Sequence, residues 1–323
     1  MKTSPIPVVL FAYSRPDHLR RGLACLRENN VPLIYAFADG PKTPDVAERV
    51  KAVRDILHAI DWCEIHLVER PVNLGLDKSV LIGVSEVFQK HDAIIVFEDD
   101  LVCVPGTYEY MCAALEYYKD NPRVMSITGW TLPGVTPSNV TDQPYFDGRS
   151  ESWTWGTWSR AWKGMDQETT SLVKRCRRQG IDIYKYGADL PVMAKKKIKH
   201  WDIRWNYLHL LYDGLCLRPP YSMVNHVGFD TLGTNVTQPN SELYMDVLQP
   251  CPIIPEEWPE AIENPECSEL WRKFCGEEPS NFKKIFGFLV PLYAKLLRTR
   301  QRTFFLKMVK TLKGFLNKLR VEV

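Results

Sequence analysis

Short apolar runs alternate with stretches of helical period through the first 130 residues. Residues 7–13 are apolar up to Tyr13, and Pro16 then opens a helix over 17–29 with Leu19, Leu23 and Leu26 on one face. Residues 33–38 read as a second strand ending at Asp39-Gly40. Residues 45–60 follow as a helix with Val46, Val50, Val53 and Leu57 in step. A third strand spans 63–68, the turn Asn73-Leu74-Gly75 precedes a helix over 78–89, and residues 93–97 form a fourth strand. Such alternation predicts a mostly parallel, Rossmann-like α/β sheet with helices on both faces. Ligands of these sheets collect at the C-terminal strand edges. Ser14-Arg15, Asp39-Gly40 and Glu98-Asp99-Asp100 all fall at such edges.

The second half is less regular. A helix is expected over 107–120, a short strand over 124–129, a polar helix over 163–179 and a strand over 221–227. Seven of the ten tryptophans lie between Trp130 and Trp205. Trp201-Asp202-Ile203-Arg204-Trp205 heads a further helix, and residues 230–265 read mostly as loop. Near the end, Phe305, Met308, Val309, Leu312, Phe315, Leu316 and Leu319 recur at helical spacing, with Lys307, Lys310, Lys313 and Lys318 on other faces. This basic amphipathic helix suits an anionic membrane interface, or packing on the body or a partner chain.

Charge sharpens that contrast. Residues 281–323 carry +10, which leaves −8 on the rest of a chain whose formal net charge is +2. An acidic body does not look like a nucleic-acid binder. The nine cysteines form no CxxC pair, so zinc binding is not expected and reduced thiols are. Residues 1–7 do not read as a signal peptide, and no apolar run is long enough to span a bilayer.

The chemistry concentrates at Phe97-Glu98-Asp99-Asp100-Leu101. Three adjacent carboxylates at a strand end repel one another unless solvated, hydrogen-bonded or facing a cation. A hard divalent ion there would in turn hold phosphate oxygens; the other reading is a charged turn. With Val104-Pro105 and Tyr108-Glu109-Tyr110, this run resembles the metal-site segment of GT-A glycosyltransferases. It is most similar to the N-acetylglucosaminyltransferase I group, which carries a Glu-Asp-Asp form of the Asp-x-Asp motif. Phe11-Ala12-Tyr13-Ser14-Arg15-Pro16, Ala38-Asp39-Gly40 and Asn73-Leu74-Gly75-Leu76 also resemble GT-A segments, and the resemblance covers roughly residues 5–230.

The resemblance implies a GT-A fold and an inverting hexosyl- or N-acetylhexosaminyltransferase using Mn²⁺ or Mg²⁺ and a nucleotide sugar, UDP-linked. It implies that Asp100 holds the metal and that Glu98 and Asp99 meet the ribose or donor sugar. Apart from the resemblance, residues 225–234 are a segment that could close over a diphosphate, with His226 a candidate for phosphate or the metal, or a hydrogen-bonded structural histidine. Asp39 would accept from the uracil ring, Arg15 and Ser14 would help hold the nucleotide, and Lys78 would touch the diphosphate or be solvated. A base must take the acceptor's hydroxyl proton; Asp202 is the candidate, with Asp166 the alternative and Glu151 a weaker one. Trp153, Trp155 and Trp158, with Gly156 between them, are candidates for stacking on an acceptor sugar or for a tryptophan-rich core. Residues 195–199 are a basic run that suits lipid headgroups, an anionic acceptor or water.

The expected organisation is a nucleotide-sugar half (1–129), an acceptor half (130–265) and a helical, membrane-associating extension (266–323). The expected setting is the cytoplasmic face of the inner membrane, acting on a glycan or lipid-linked acceptor. The competing readings are a nucleotidyltransferase, disfavoured because residues 11–17 lack glycine, and a silent carbohydrate- or membrane-binding scaffold.

Overall fold

A computed structural model of the chain describes residues 5–196, 198, 200–228 and 248–277. The expected basic helix lies outside the described residues, as do Lys197 and Lys199 of the basic run. The chain divides into two compact units, Met1–Gly276 and Glu277–Val323. Among the described residues no helix is long and apolar enough to cross a membrane.

The first unit opens as the apolar pattern predicts: β1 (Val8–Ala12), α1 (Pro16–Glu28), β2 (Leu33–Ala38), α2 (Ala47–His58), β3 (Glu64–Glu69), α3 (Leu76–Val87) and β4 (Ala93–Glu98). Then come β5 (Leu101–Cys103), α4 (Thr107–Tyr117), β6 (Val124–Thr128), β7 (Tyr145–Asp147), β8 (Trp155–Trp158), α5 (Ser159–Trp162), α6 (Thr169–Arg178), α7 (Asp189–Lys195), α8 (Trp201–Tyr212), β9 (Leu215–Arg218), β10 (Val224–His226) and α9 (Cys267–Cys275). Among the described residues the main sheet has eight strands in the order β3-β2-β1-β4-β8-β6-β9-β7, and β10 pairs with β5 apart from it. Only β8 and β7 run against the others, so the sheet is mixed but mostly parallel. This is an α/β, Rossmann-like architecture.

The central strands are buried on both faces, which is why they read as unbroken apolar runs. Val8, Leu10 and Ala12 point to a core shared with Leu19, Leu23 and Leu26 of α1 and Tyr110 and Met111 of α4. Val9 and Phe11 point the other way, to Val80 and Val84 of α3, Trp155 of β8 and Trp201 and Trp205 of α8. Full burial of a leucine such as Leu19 contributes roughly 2 kcal/mol.

Three differences from the sequence reading have clear causes. β8 is a strand the pattern does not announce, because alternating Trp, Gly and Thr hide a position central on both edges: it pairs with β4 through Trp155↔Val96 and with β6 through Trp155↔Thr128. The polar helix begins at Thr169 rather than 163, since Gly164 takes φ +95° and interrupts the chain. Residues 266–276, expected in the extension, belong to the first unit. There α9 buries Trp271, whose indole N–H donates to Asp147 at 2.8 Å between the guanidiniums of Arg149 and Arg218.

Candidate active site

β4 ends in the acidic triplet, and the neighbouring strand sets its surroundings. Phe11 of β1 stands opposite Glu98, so the turn after β1 runs alongside the carboxylates. The Tyr13 N–H donates to Asp99 Oδ2 at 2.9 Å. Ser14 is buried in that turn, and Arg15, which precedes α1, donates through Nη1 to Asp100 Oδ2. The β5–β10 pair supplies the opposite wall. His226 stands opposite Leu101, and the Val227 N–H donates to the Asp100 carbonyl at 2.8 Å. His226 Nδ1 accepts from the Gly228 N–H at 3.1 Å, so the neutral ring carries its proton on Nε2, 3.3 Å from Asp100 Oδ2. A Cβ at Gly228 would lie 2.7 Å from both Arg15 Nη1 and Asp100 Oδ2, so a larger residue there would displace this pair.

The electrostatics are unbalanced. Burial, then Asp100, raises the Glu98 carboxyl well above its ordinary range, with Asp99 and Asp202 adding to the effect and Arg15 opposing it. The same two leading causes push Asp99 up to about 7, against the Tyr13 N–H and Arg15. Burial lowers His226, partly offset by Asp100. Asp202 heads α8, with its side chain about one-third exposed and 4.0 Å from His200 Nδ1. Burial raises it, while His200 and Arg149 hold it down. In the same turn Arg204 donates to Asp77 of α3 at 3.3 Å, tying α8 to α3.

Asp100 is the side chain here that could take a divalent ion. Among the described residues no group of three or more His, Cys, Asp or Glu side chains could hold a metal. However, Asp100 Oδ1 is buried with no hydrogen-bond partner, while Oδ2 is taken by Arg15 and His226. One hard oxygen beside two more carboxylates fits an ion that completes its shell with phosphate and water.

The structure thus brings together Ser14, Arg15, Glu98, Asp99, Asp100, His226 and Asp202. It moves other expected residues elsewhere. Asp39 gives its carboxylate to the main-chain N–H groups of Gly40, Leu74 and Gly75, and so shapes the turn before α3 instead of facing a base. Lys78 is exposed in the first turn of α3. His226 points its proton at Asp100, which makes it that carboxylate's partner rather than a ready ligand. Trp155 is 1% exposed and stacks on Trp201 and Trp162, so it is core and not an acceptor platform. Trp158 is buried at the far end of β8, opposite Ala93, where its indole donates to the Leu115 carbonyl. Gly156 makes room for Leu115, 3.0 Å from where its Cβ would stand. Asp166 is exposed beside an open groove of about 550 Å³ along the second half of α3. Glu151 is held by the Ser152 N–H and by Arg218 at 3.4 Å. Trp153 alone of the four remains half-buried, 4.9 Å from the His226 ring.

The Tyr13 N–H and the Arg204–Asp77 link escaped the sequence reading, because a main-chain donor and a pairing between distant helices leave no mark in residue type.

No protein-family model matches the chain, and no curated protein matches it. Among solved structures, the chain is similar to the mannosyltransferase PcManGT from Pyrobaculum calidifontis in complex with GDP-Man and Mn²⁺, with 11% identity and a TM-score of 0.34. That match covers 55% of this chain and 48% of the other, so the chain spans about half the length of the protein it matches.

Proposed function

We propose that the chain is a metal-dependent, inverting glycosyltransferase. On this reading it moves a hexosyl or N-acetylhexosaminyl group from a UDP-linked sugar to a glycan or lipid-linked acceptor in surface polysaccharide synthesis. The observation that carries the reading is the unpartnered Asp100 Oδ1, buried at a strand edge among Glu98, Asp99 and Asp202. Such a concentration of buried carboxylate calls for a cation, and Asp100 would hold Mn²⁺ or Mg²⁺ there. When bound, the ion compensates the charge of the departing nucleoside diphosphate.

The chain's own residues do the rest. Arg15 offers a guanidinium beside the same carboxylate, where phosphate charge would be met. Asp99, fixed by the Tyr13 N–H, and Glu98 face the donor's ribose or sugar, with Ser14 in the adjoining turn. Asp202 is the general base, because burial raises its affinity for the acceptor's hydroxyl proton. Trp153 presents the aromatic surface for a sugar. Residues 1–129 would serve the donor and 130–265 the acceptor. The basic segment 281–323 would meet anionic lipid at the inner membrane face, a reading that rests on sequence alone.

A thermal-shift screen of nucleotide sugars with and without Mn²⁺ tests the proposal. A UDP-sugar should raise the melting midpoint only with Mn²⁺. Asp100→Asn should melt like the unaltered chain without ligand, lose that shift, and hydrolyse nucleotide sugar roughly 100-fold more slowly. Full Mn²⁺-dependent stabilisation of Asp100→Asn would overturn the assignment.

A further inference from the structure

Thr154 takes φ +46°, a left-handed conformation that β-branched residues adopt only where their surroundings impose it. Its side chain is fully buried and its hydroxyl has no partner, so local hydrogen bonding by that side chain does not explain the turn. Neighbouring groups impose it. The Thr154 carbonyl accepts from the Gly129 N–H at 2.8 Å and from Thr128 Oγ1 at 3.2 Å. The same Thr128 hydroxyl lies 3.1 Å from the Trp153 carbonyl and accepts from the Trp130 N–H at 3.1 Å. One buried hydroxyl therefore ties down the main chains of two tryptophans.

The turn has a directional consequence. In an extended chain, residues two apart point to the same face, so Trp153 would follow Trp155 into the core. The left-handed residue between them breaks that alternation. Trp155 goes inward, while the Trp153 indole lies 4.5 Å from Trp130 and 4.9 Å from His226, the ring that touches Asp100. Of the seven tryptophans from Trp130 to Trp205, Trp153 is the one not fully buried.

We propose that Thr128 is a positioning residue that, by pinning the left-handed turn at Thr154, holds the Trp153 indole beside the acidic triplet as a platform for the apolar face of a pyranose ring. The platform's role rests on the transferase reading; its positioning does not. The turn aims one ring, and loosening the hydrogen bonds that pin it frees that ring without unfolding the chain.

The test uses the full chain labelled with 5-fluorotryptophan, with the Trp153 ¹⁹F line assigned by its loss in Trp153→Phe. Thr154→Gly keeps the left-handed turn, which glycine adopts without strain, at the expense of glycine's entropy and the buried Cβ, methyl and hydroxyl, so its midpoint should stay within about 3 °C of the unaltered chain. Its Trp153 line should hold, because the main-chain bonds to Thr154 remain. Thr128→Val should shift or broaden the Trp130 and Trp153 lines together while the lines remote from that turn hold. An unmoved Trp153 line in Thr128→Val overturns the positioning role, and movement of every line marks a merely structural one.

Ligand arms follow on the unaltered chain with Mn²⁺. A Trp153 shift with UDP-glucose or UDP-N-acetylglucosamine beyond that with UDP assigns the platform to the donor sugar. A shift with methyl glucoside, methyl galactoside or methyl N-acetylglucosaminide in the presence of UDP assigns it to the acceptor. If UDP and Mn²⁺ stabilise the chain but no sugar moves the line, the platform fails alone. If neither UDP nor any nucleotide sugar stabilises the chain, the transferase reading fails, and the ligand-free lines still judge the positioning role.

Discussion

Asp99 shows how one residue's surroundings fix its response to pH. Burial and the Asp100 charge push its carboxyl up to about 7, and the Tyr13 N–H and Arg15 recover only part of that shift. Its folded pKa lies above the unfolded value, so its contribution to metal-free stability is complete below pH 3.8 and is lost as pH rises through 7. A cation at Asp100 competes with that proton. The apparent Mn²⁺ affinity, read from midpoints at a fixed sub-saturating concentration, should therefore rise by up to about tenfold per pH unit below 7. Asp99→Asn should flatten the profile; an equally steep profile in that variant would show that another group binds the competing proton. The triplet's place at a strand edge was legible because five apolar residues run into it. Asp39 was misread for the opposite reason: a carboxylate after a strand looks the same whether it faces a ligand or, as here, three main-chain N–H groups.

Among the elements, α8 does two jobs at its two ends. Its first turn carries Asp202 and Arg204 to the site, and its last full turn is locked into the sheet by His209. That ring is fully buried; its Nδ1–H donates to the Trp205 carbonyl at 2.9 Å, leaving Nε2 to accept from Ser126 Oγ at 2.9 Å. Burial lowers its pKa to about 4, with the Trp205 carbonyl opposing. A protonated ring would lose the Ser126 bond as acceptor and carry a buried charge. The unfolded chain binds the extra proton between pH 6.5 and 4, so His209's stabilisation is complete above pH 6.5 and falls by about 3 kcal/mol toward pH 4. The difference in unfolding free energy between the unaltered chain and His209→Gln should therefore shrink as pH falls across that window. A difference independent of pH would mean that the ring is protonated equally in both states. Nothing in the α8 sequence announced this lock, since a histidine within a long apolar helix looks alike whether it meets a serine on β6 or water. The docking of α9 in the first unit was hidden for a related reason: within a segment expected to be helical, its nine residues belong to the body because Trp271 finds Asp147, Arg149 and Arg218 far away in sequence.

At the level of the whole molecule, the parallel half of the sheet was legible because strands buried on two faces must be apolar throughout, and no other constraint competes there. The mixed half was not, because β8 enters between β4 and β6 through tryptophan packing that has no period, and the residues it buries resemble sugar-binding aromatics. One feature depends on neither half. Charge is divided along the chain, with +10 on residues 281–323 and −8 on the remainder, so an anionic surface attracts one part and repels the other. Each basic residue near such a surface contributes about 1 kcal/mol, screened by salt. The full chain should sediment with vesicles of phosphatidylcholine and phosphatidylglycerol, not with phosphatidylcholine alone, and should be released as salt rises. Changing Lys307, Lys310, Lys313 and Lys318 together to glutamate should reduce the bound fraction at least about tenfold while the UDP-sugar shift with Mn²⁺ persists. If the altered chain sediments as before, the basic segment is not the contact, and lysines of the first unit such as Lys195 and Lys196 become the surface to test.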